Sequence, residues 1–352
     1  MKLNFISSLD KSTKFGGAHL RITAIRRIYQ LLGLELSDKF NDDATEVFSV
    51  KSYLELLLFG KNPFILLKRK EIVVEDNPIV HLDNLRQFNW KLKGSTKRPF
   101  TIFNAHNLEF ENFYGREDSF YKKNFENHEM NMIQNSDLTL VCSERERSIL
   151  IAKRPKLREK VITVPNLINK DNYYTAKDKN KILFIGTLDY FPNVEAVKYL
   201  CNEFNSVINT EHLKSFEFII AGRNPSNEQR EMIKKSNFTL RENLDHNEVS
   251  ALFAESYLHL VPLLHGSGTR LKIVEALMTN GIVLSTPLGR EGIESVNIVE
   301  SDLENFTRSF SNIINNKVSF DSSERETILK NWDTDTWFQE NKELLKEKIP
   351  LK

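Results

Sequence analysis

Along most of the chain, short apolar runs alternate with longer segments whose apolar residues recur at helical spacing. A parallel sheet covered by helices requires this alternation, because its strands are buried on both faces and its crossover helices on one. In the first half the runs predict strands at Leu3–Ser7, Thr45–Val50, Glu71–Glu75, Phe100–Asn104, Leu138–Cys142 and Val161–Val164. Leu20, Ala24, Ile28 and Leu31 line one face of a helix expected over Ala18–Leu32. The polar stretch 169–181, with its Lys, Asp and Asn around Tyr173 and Tyr174, breaks the pattern and reads as a linker. Strands are then expected at Ile182–Gly186, Phe216–Ala221, Phe238–Arg241, Leu258–Leu263 and Ile282–Ser285. A closing helix carries Trp337, Leu344 and Leu345.

The length of 352 residues agrees with this division, since it exceeds what one core usually serves. The expected organisation is a pair of Rossmann-like α/β domains, residues 1–168 and 182–334, joined by the linker 169–181. Residues 335–352 then form a helix packing back on the first domain. A content of 40% hydrophobic and 28% charged residues is ordinary for a folded protein. Lys+Arg at 49 against Asp+Glu at 48 leaves a net charge of +1, which gives no general footprint for nucleic acid. Cys142 and Cys201 lie far apart and in no Cys-x-x-Cys pair, so they read as core thiols in a reducing compartment. The apolar run at the N-terminus is too short for a signal peptide and no stretch approaches a membrane span, so a cytoplasmic location is expected.

The strongest chemical signal is the run from His265 to Ala276, which follows a predicted strand and opens a helix. Gly266 and Gly268 let backbone approach a ligand closely, and Thr269 is suited to cap the helix. The first helical N–H groups then face an anion, with Arg270 and Lys272 as adjacent cations. Glu275 falls at the border of the buried stripe, within reach of a ligand hydroxyl. Any strand–glycine loop–helix shares this geometry, so the loop alone leaves a structural role and a functional one equally open. Phe184 to Asn193 forms a second glycine turn, containing Gly186 and Thr187, and Ala221-Gly222-Arg223 ends the next strand. In the first half, Gly16 and Gly17 follow the first strand, and His106 follows the strand Phe100–Asn104, where open α/β sheets bind ligands. Arg21, one turn into the first helix, reads as a solvated residue.

The run from Gly266 to Glu275, continued by Gly281 to Pro287 and Arg290 to Ile293, resembles the donor-site signature of the retaining, group-1 family of GT-B glycosyltransferases (family 4-like). The resemblance implies a GT-B fold, with the parallel sheets of two Rossmann-like domains facing a central cleft. It implies transfer of a sugar from a nucleoside diphosphate to an acceptor hydroxyl with retention, in bacterial-type polysaccharide or glycoconjugate synthesis. The family signature has two glutamates separated by seven residues. The second matches Glu275, expected at the ribose, and the first falls at Ser267, where this sequence departs from the pattern. The family's Arg and Lys at the second glycine turn are replaced by Thr187 and Asn193, which makes Arg270 and Lys272 the expected phosphate cations. His106 matches a family histidine that holds the donor sugar at the reacting carbon. The implied site is thus catalytic His106 and Glu275. Gly16, Gly17, Gly186, Thr187, Gly222, Arg223, Ser267, Gly268, Thr269, Arg270, Lys272 and Glu275 complete it as donor-binding residues.

No cofactor or metal is expected, since no Asp-x-Asp motif follows a suitable strand. No pair of carboxylates stands out as nucleophile and acid, which argues against a hydrolase. The implied partners are a nucleotide sugar and a glycan or lipid-linked acceptor, with no nucleic acid. Tyr53 to Phe59 and Phe64 to Lys70 combine apolar bulk with three cations, and read either as a core helix with a basic end or as a peripheral contact with the inner membrane face. Two rival functions stay open: a catalytically silent relative acting as a binding or partner-stabilising protein, and a GT-B-shaped sugar-nucleotide epimerase. Ser267, Thr187 and Asn193 motivate the first.

Overall fold

The computed structural model describes residues 1–7, 17–40, 72–83, 90–94, 97–112, 120–266 and 270–351. The predicted strand Thr45–Val50 and the apolar–basic segment from Tyr53 to Lys70 lie outside the described residues. The chain gathers into two compact units, Met1–Pro165 with Phe338–Lys352, and Asn166–Trp337.

The first unit is built on a sheet of strands β1 (Lys2–Ser7), β2 (Glu35–Phe40), β4 (Ile79–Asp83), β6 (Phe100–Asn104), β7 (Leu138–Val141) and β8 (Val161–Thr163). Their order is β2-β1-β4-β6-β7-β8, with every pair parallel. The short strands β3 (Ile72–Val74) and β5 (Trp90–Leu92) pair separately. The predicted strand Glu71–Glu75 is therefore β3, outside the main sheet. Two main-sheet strands escaped the apolar pattern. β2 pairs only with β1, and this edge position tolerates its polar sequence Glu35-Leu36-Ser37-Asp38-Lys39. β4 carries His81 and Asp83 inside an apolar run, yet all five of its residues are buried.

The helix Gly17–Leu31 buries Arg21, Ile22, Ala24, Ile25, Ile28 and Tyr29, a face rotated from the expected Leu20–Leu31 stripe. Arg21 is thereby not a solvated residue; it is 1% exposed. Its Nε donates to Asn104 Oδ1 at 2.9 Å and its Nη1 to the Val164 carbonyl at 2.8 Å. A buried guanidinium persists only with such partners.

The second unit contains β9 (Lys181–Thr187), β10 (Glu217–Arg223), β11 (Thr239–Glu242), β12 (Ser256–Val261), β13 (Ile282–Ser285) and β14 (Ile298–Glu300). The order β11-β10-β9-β12-β13-β14 is the doubly wound arrangement. A cluster of Phe204, Phe218, Phe238, Phe306 and Phe310 packs one side of it, with the Phe204 and Phe310 rings 4.9 Å apart. The stretch 169–181 lies along this unit. The Asn172 carbonyl accepts the Ser250 hydroxyl at 2.8 Å, and the Asn180 N–H donates to the Glu255 carbonyl at 3.1 Å.

Strand order reverses between β1 and β4 in the first unit and between β9 and β12 in the second. In open α/β sheets the ligand crevice opens beyond the carboxyl ends of strands at such a reversal. Ser7 and Asp83 end the strands at one reversal, and Thr187 and Val261 end those at the other. Both cysteines are buried free thiols. Among the described residues, no helix is long and apolar enough to cross a membrane.

Candidate active site

In the second unit, β9 and β10 run in register with Gly186 beside Gly222 and Thr187 beside Arg223. The backbones approach so closely that a Cβ on Gly222 would stand 1.9 Å from the Gly186 carbonyl oxygen. The Thr187 carbonyl accepts Asn193 Nδ2 at 2.8 Å, which turns the chain into the helix Phe191–Cys201. Asn193 is in turn the acceptor for Lys272, whose Nζ lies 3.1 Å from Asn193 Oδ1 and 4.7 Å from the Phe184 ring centroid. The ammonium of Lys272 thus stands at the turn where the expected cation is missing from the sequence.

The helix Leu271–Met278 begins with Arg270 in the capping position, whose side chain makes no cap hydrogen bond. Arg270 is buried, and its guanidinium lies against Gly266, where a Cβ would come within 2.9 Å of Nη2. Gly266 adopts φ +121°, a region that glycine alone enters without strain. One turn beyond Lys272, Glu275 Oε1 accepts the Tyr173 hydroxyl at 2.8 Å. Gly186, Thr187, Gly222, Arg223 and Lys272 are therefore linked through the strand register and Asn193, while Arg270 lies against Gly266 and Glu275 against Tyr173. Ser267, Gly268 and Thr269 lie outside the described residues.

Tyr173 was not legible as a site residue, because it sits in the polar stretch read as a linker. A hydrogen bond to a charged group contributes about 1.5–3 kcal/mol. Tyr173→Phe is accordingly expected to weaken binding of a ligand that donates hydroxyls to Glu275 by roughly tenfold with little change in fold, as measured by calorimetry and thermal melting.

Burial pushes the Glu275 carboxyl up to about 7, against the Tyr173 hydrogen bond and the charge of Lys272. Burial also pushes the Lys272 amine down to about 7, with Arg270 adding to the effect and Glu275 opposing it. The pair consequently titrates around neutrality as a coupled unit. An anionic ligand beside Lys272 favours the ammonium, and hydroxyls donating to Glu275 favour the carboxylate. Affinity then falls below about pH 7 as Glu275 takes a proton, and above it as Lys272 loses one. A bell-shaped dependence of affinity on pH is expected for an anionic ligand that does not itself titrate there. Lys272→Met should remove its alkaline limb and Glu275→Gln its acid limb.

In the first unit, Gly17 opens the helix that carries Arg21, and Gly16 lies outside the described residues. His106 is half-buried just beyond β6. Its Nε2 lies 2.8 Å from Asp83 Oδ1, and Asp83 is fully buried at the end of β4. The backbone around His106 is held from several sides. The Glu129 carboxylate accepts the N–H groups of Glu109 at 3.1 Å and Phe110 at 3.0 Å. Burial pushes the Glu129 carboxyl up to about 8, against these two bonds. The Cys142 thiol donates to the His106 carbonyl at 3.0 Å. Behind Asp83, the Tyr29 hydroxyl and His81 Nδ1 lie 2.8 Å apart, and Phe5 stacks on the His81 ring at 4.2 Å. Asp83, His81 and Tyr29 carried no motif; the signal that would have found Asp83 is an acidic residue closing an apolar run ahead of the crevice.

Residues 179–316 match the family described as Glycosyl transferases group 1. Sucrose-phosphate synthase from Thermosynechococcus elongatus superposes with a TM-score of 0.66 at 13% identity, covering 98% of each chain. HepE of Anabaena, solved with UDP and glucose, gives 0.65 at 12% identity over 99% of this chain and 100% of its own. The pneumococcal O-GlcNAc transferase GtfA, solved with UDP and GlcNAc, gives 0.53 at 12% identity, covering 71% of this chain and 53% of its own. No curated protein sequence matches the chain. The fold is GT-B, with two sheets of six parallel strands.

Proposed function

We propose that this chain, whose residues 179–316 match the group 1 glycosyl transferases, moves a sugar from a nucleoside diphosphate to an acceptor hydroxyl. The observation that supports the reading is Lys272 at the Gly186 turn through Asn193, with Arg270 against Gly266 and Glu275 one turn along the same helix. In such a reaction a diphosphate departs while the sugar becomes oxocarbenium-like, so the barrier is largely one of charge. Lys272 and Arg270 supply fixed positive charge for the departing phosphates. Glu275, oriented by Tyr173, accepts hydrogen bonds from ribose hydroxyls. His106 contacts the sugar near its reacting carbon. These roles need neither a divalent metal nor a cofactor.

Retention of the anomeric configuration, a role in polysaccharide or glycoconjugate synthesis, and work at the inner membrane face on a glycan or lipid-linked acceptor belong to the same proposal. They rest on the resemblance of residues 266–293 to retaining group-1 enzymes. A uridine nucleotide is the first donor to try, because HepE and GtfA were solved with UDP. The rival of a silent binding protein draws on Ser267 and on the uncharged Thr187 and Asn193. Lys272 at Asn193 answers half of that objection, because the cation missing from one segment arrives from another.

A panel of nucleotide sugars scored by thermal shift tests the reading, since a bound donor stabilises by mass action. At least one donor should raise the melting temperature by several degrees and be turned over with an acceptor glycan. Stabilisation by a donor without hydrolysis or transfer would favour the silent relative. Conversion of a donor into a new sugar nucleotide without any acceptor would favour an epimerase.

A further inference from the structure

Beyond the ends of β1, β4 and β6, the hydrogen bonds of the first unit run in a fixed direction. Arg21 has only donors, so the Asn104 atom facing its Nε at 2.9 Å is the carbonyl oxygen Oδ1. The Asn104 amide nitrogen therefore points the other way and donates to Asp83 Oδ1 at 2.8 Å. The Ser7 hydroxyl donates to Asp83 Oδ2 at 3.0 Å. Asp83 thus receives donors on both oxygens, which suits an ionised carboxylate, an acceptor and nothing else. Burial by itself would raise this carboxyl. His106 Nε2 at hydrogen-bond distance, with the His81 ring nearby, outweighs burial and holds it well below the usual carboxylate range. What meets Asp83 Oδ1 from His106 Nε2 at 2.8 Å must then be an N–H.

We propose that Asp83 is a positioning residue that holds His106 in its Nε2–H tautomer and leaves Nδ1 as the acceptor for a hydroxyl of the bound sugar. The chain Arg21–Asn104–Asp83–His106 sets this polarity from the buried end outward. An imidazole so held presents a lone pair where the opposite tautomer would present a proton, so the site favours a donating hydroxyl at that point of the sugar. This use of Nδ1 rests on the assignment of His106 to the sugar, whereas the tautomer itself does not.

Long-range proton–nitrogen NMR of histidine-labelled protein at pH 9 tests the tautomer directly, with the His106 signals identified by their loss in His106→Gln. The Nε2–H pattern is expected, and an Nδ1–H pattern would overturn the proposal. Asp83→Ala removes the acceptor that holds the His106 Nε2–H. It should release the tautomer preference and lower kcat by about 100-fold, with the donor KM changed by less than about threefold. Asp83→Asn, whose amide can turn to Ser7 and keep its oxygen toward His106, should retain most of the activity. Wild-type kcat in a folded Asp83→Ala protein would also overturn the proposal. Where that variant does not fold, the tautomer of the wild-type protein still decides. Where the wild-type protein turns over no donor, the function proposed above falls, while the spectrum continues to decide the role of Asp83.

Discussion

Lys272→Met is expected to weaken nucleotide-sugar binding by about 100-fold, because losing one member of a desolvated charge pair costs about 2–5 kcal/mol. Methionine retains the length and apolar stem of the side chain and its contact with the Phe184 ring. Only the charge and its bond to Asn193 are lost. The unliganded protein should melt no lower than the wild type, since burial already opposes the ammonium there. Calorimetry with a nucleotide sugar, set beside melting curves without it, separates the two quantities. An unchanged dissociation constant would mean that the diphosphate is held elsewhere, and Arg270 would lose its assigned role with it.

The second large effect is expected at His106. His106→Ala should lower sugar transfer by about 100-fold or more, the range typical of a lost group in proton or hydrogen-bond contact with the reacting centre. Fold should persist, because the segment is held through its backbone by Glu129 and Cys142 rather than by the imidazole. Nucleotide binding should also persist, because Lys272, Arg270 and Glu275 are untouched. Transfer assays and titration with nucleotide alone give the two readouts. Full activity of the alanine protein would remove His106 from the chemistry.

The parts of the molecule legible from its sequence are those where a local pattern determines the outcome. The strands Phe100–Asn104 and Ile282–Ser285 are short, mainly apolar runs, and both occur with the predicted bounds. Lys272 and Glu275 read together as candidates because helical spacing carries both from one glycine loop. The sequence offers Arg270 and Lys272 together in place of the missing turn cations, but the bond of Lys272 to Asn193 joins segments remote in sequence. Long-range pairing hid the rest. Arg21 reads as a surface residue until Asn104 and the Val164 carbonyl supply its bonds from distant strands. Asp83 breaks the apolar run of β4, so the strand and its carboxylate escaped notice together. Tyr173 belongs to a segment whose composition is that of a loop, and only its bond to Glu275 reveals a use.

The near-contact of Gly186 and Gly222 bears on any attempt to redesign this protein for another sugar. A methyl group at position 222 would overlap the neighbouring carbonyl oxygen, and one at position 186 would come within 2.7 Å of the Asn193 amide. Combinatorial libraries that randomise this rim would therefore lose most members at those two codons before any donor was sampled. Diversity is better directed to Thr187 and Arg223, the residues immediately following, where side chains are already accommodated. The rim at the carboxyl ends of β9 and β10 thus divides into codons to be kept and codons to be varied.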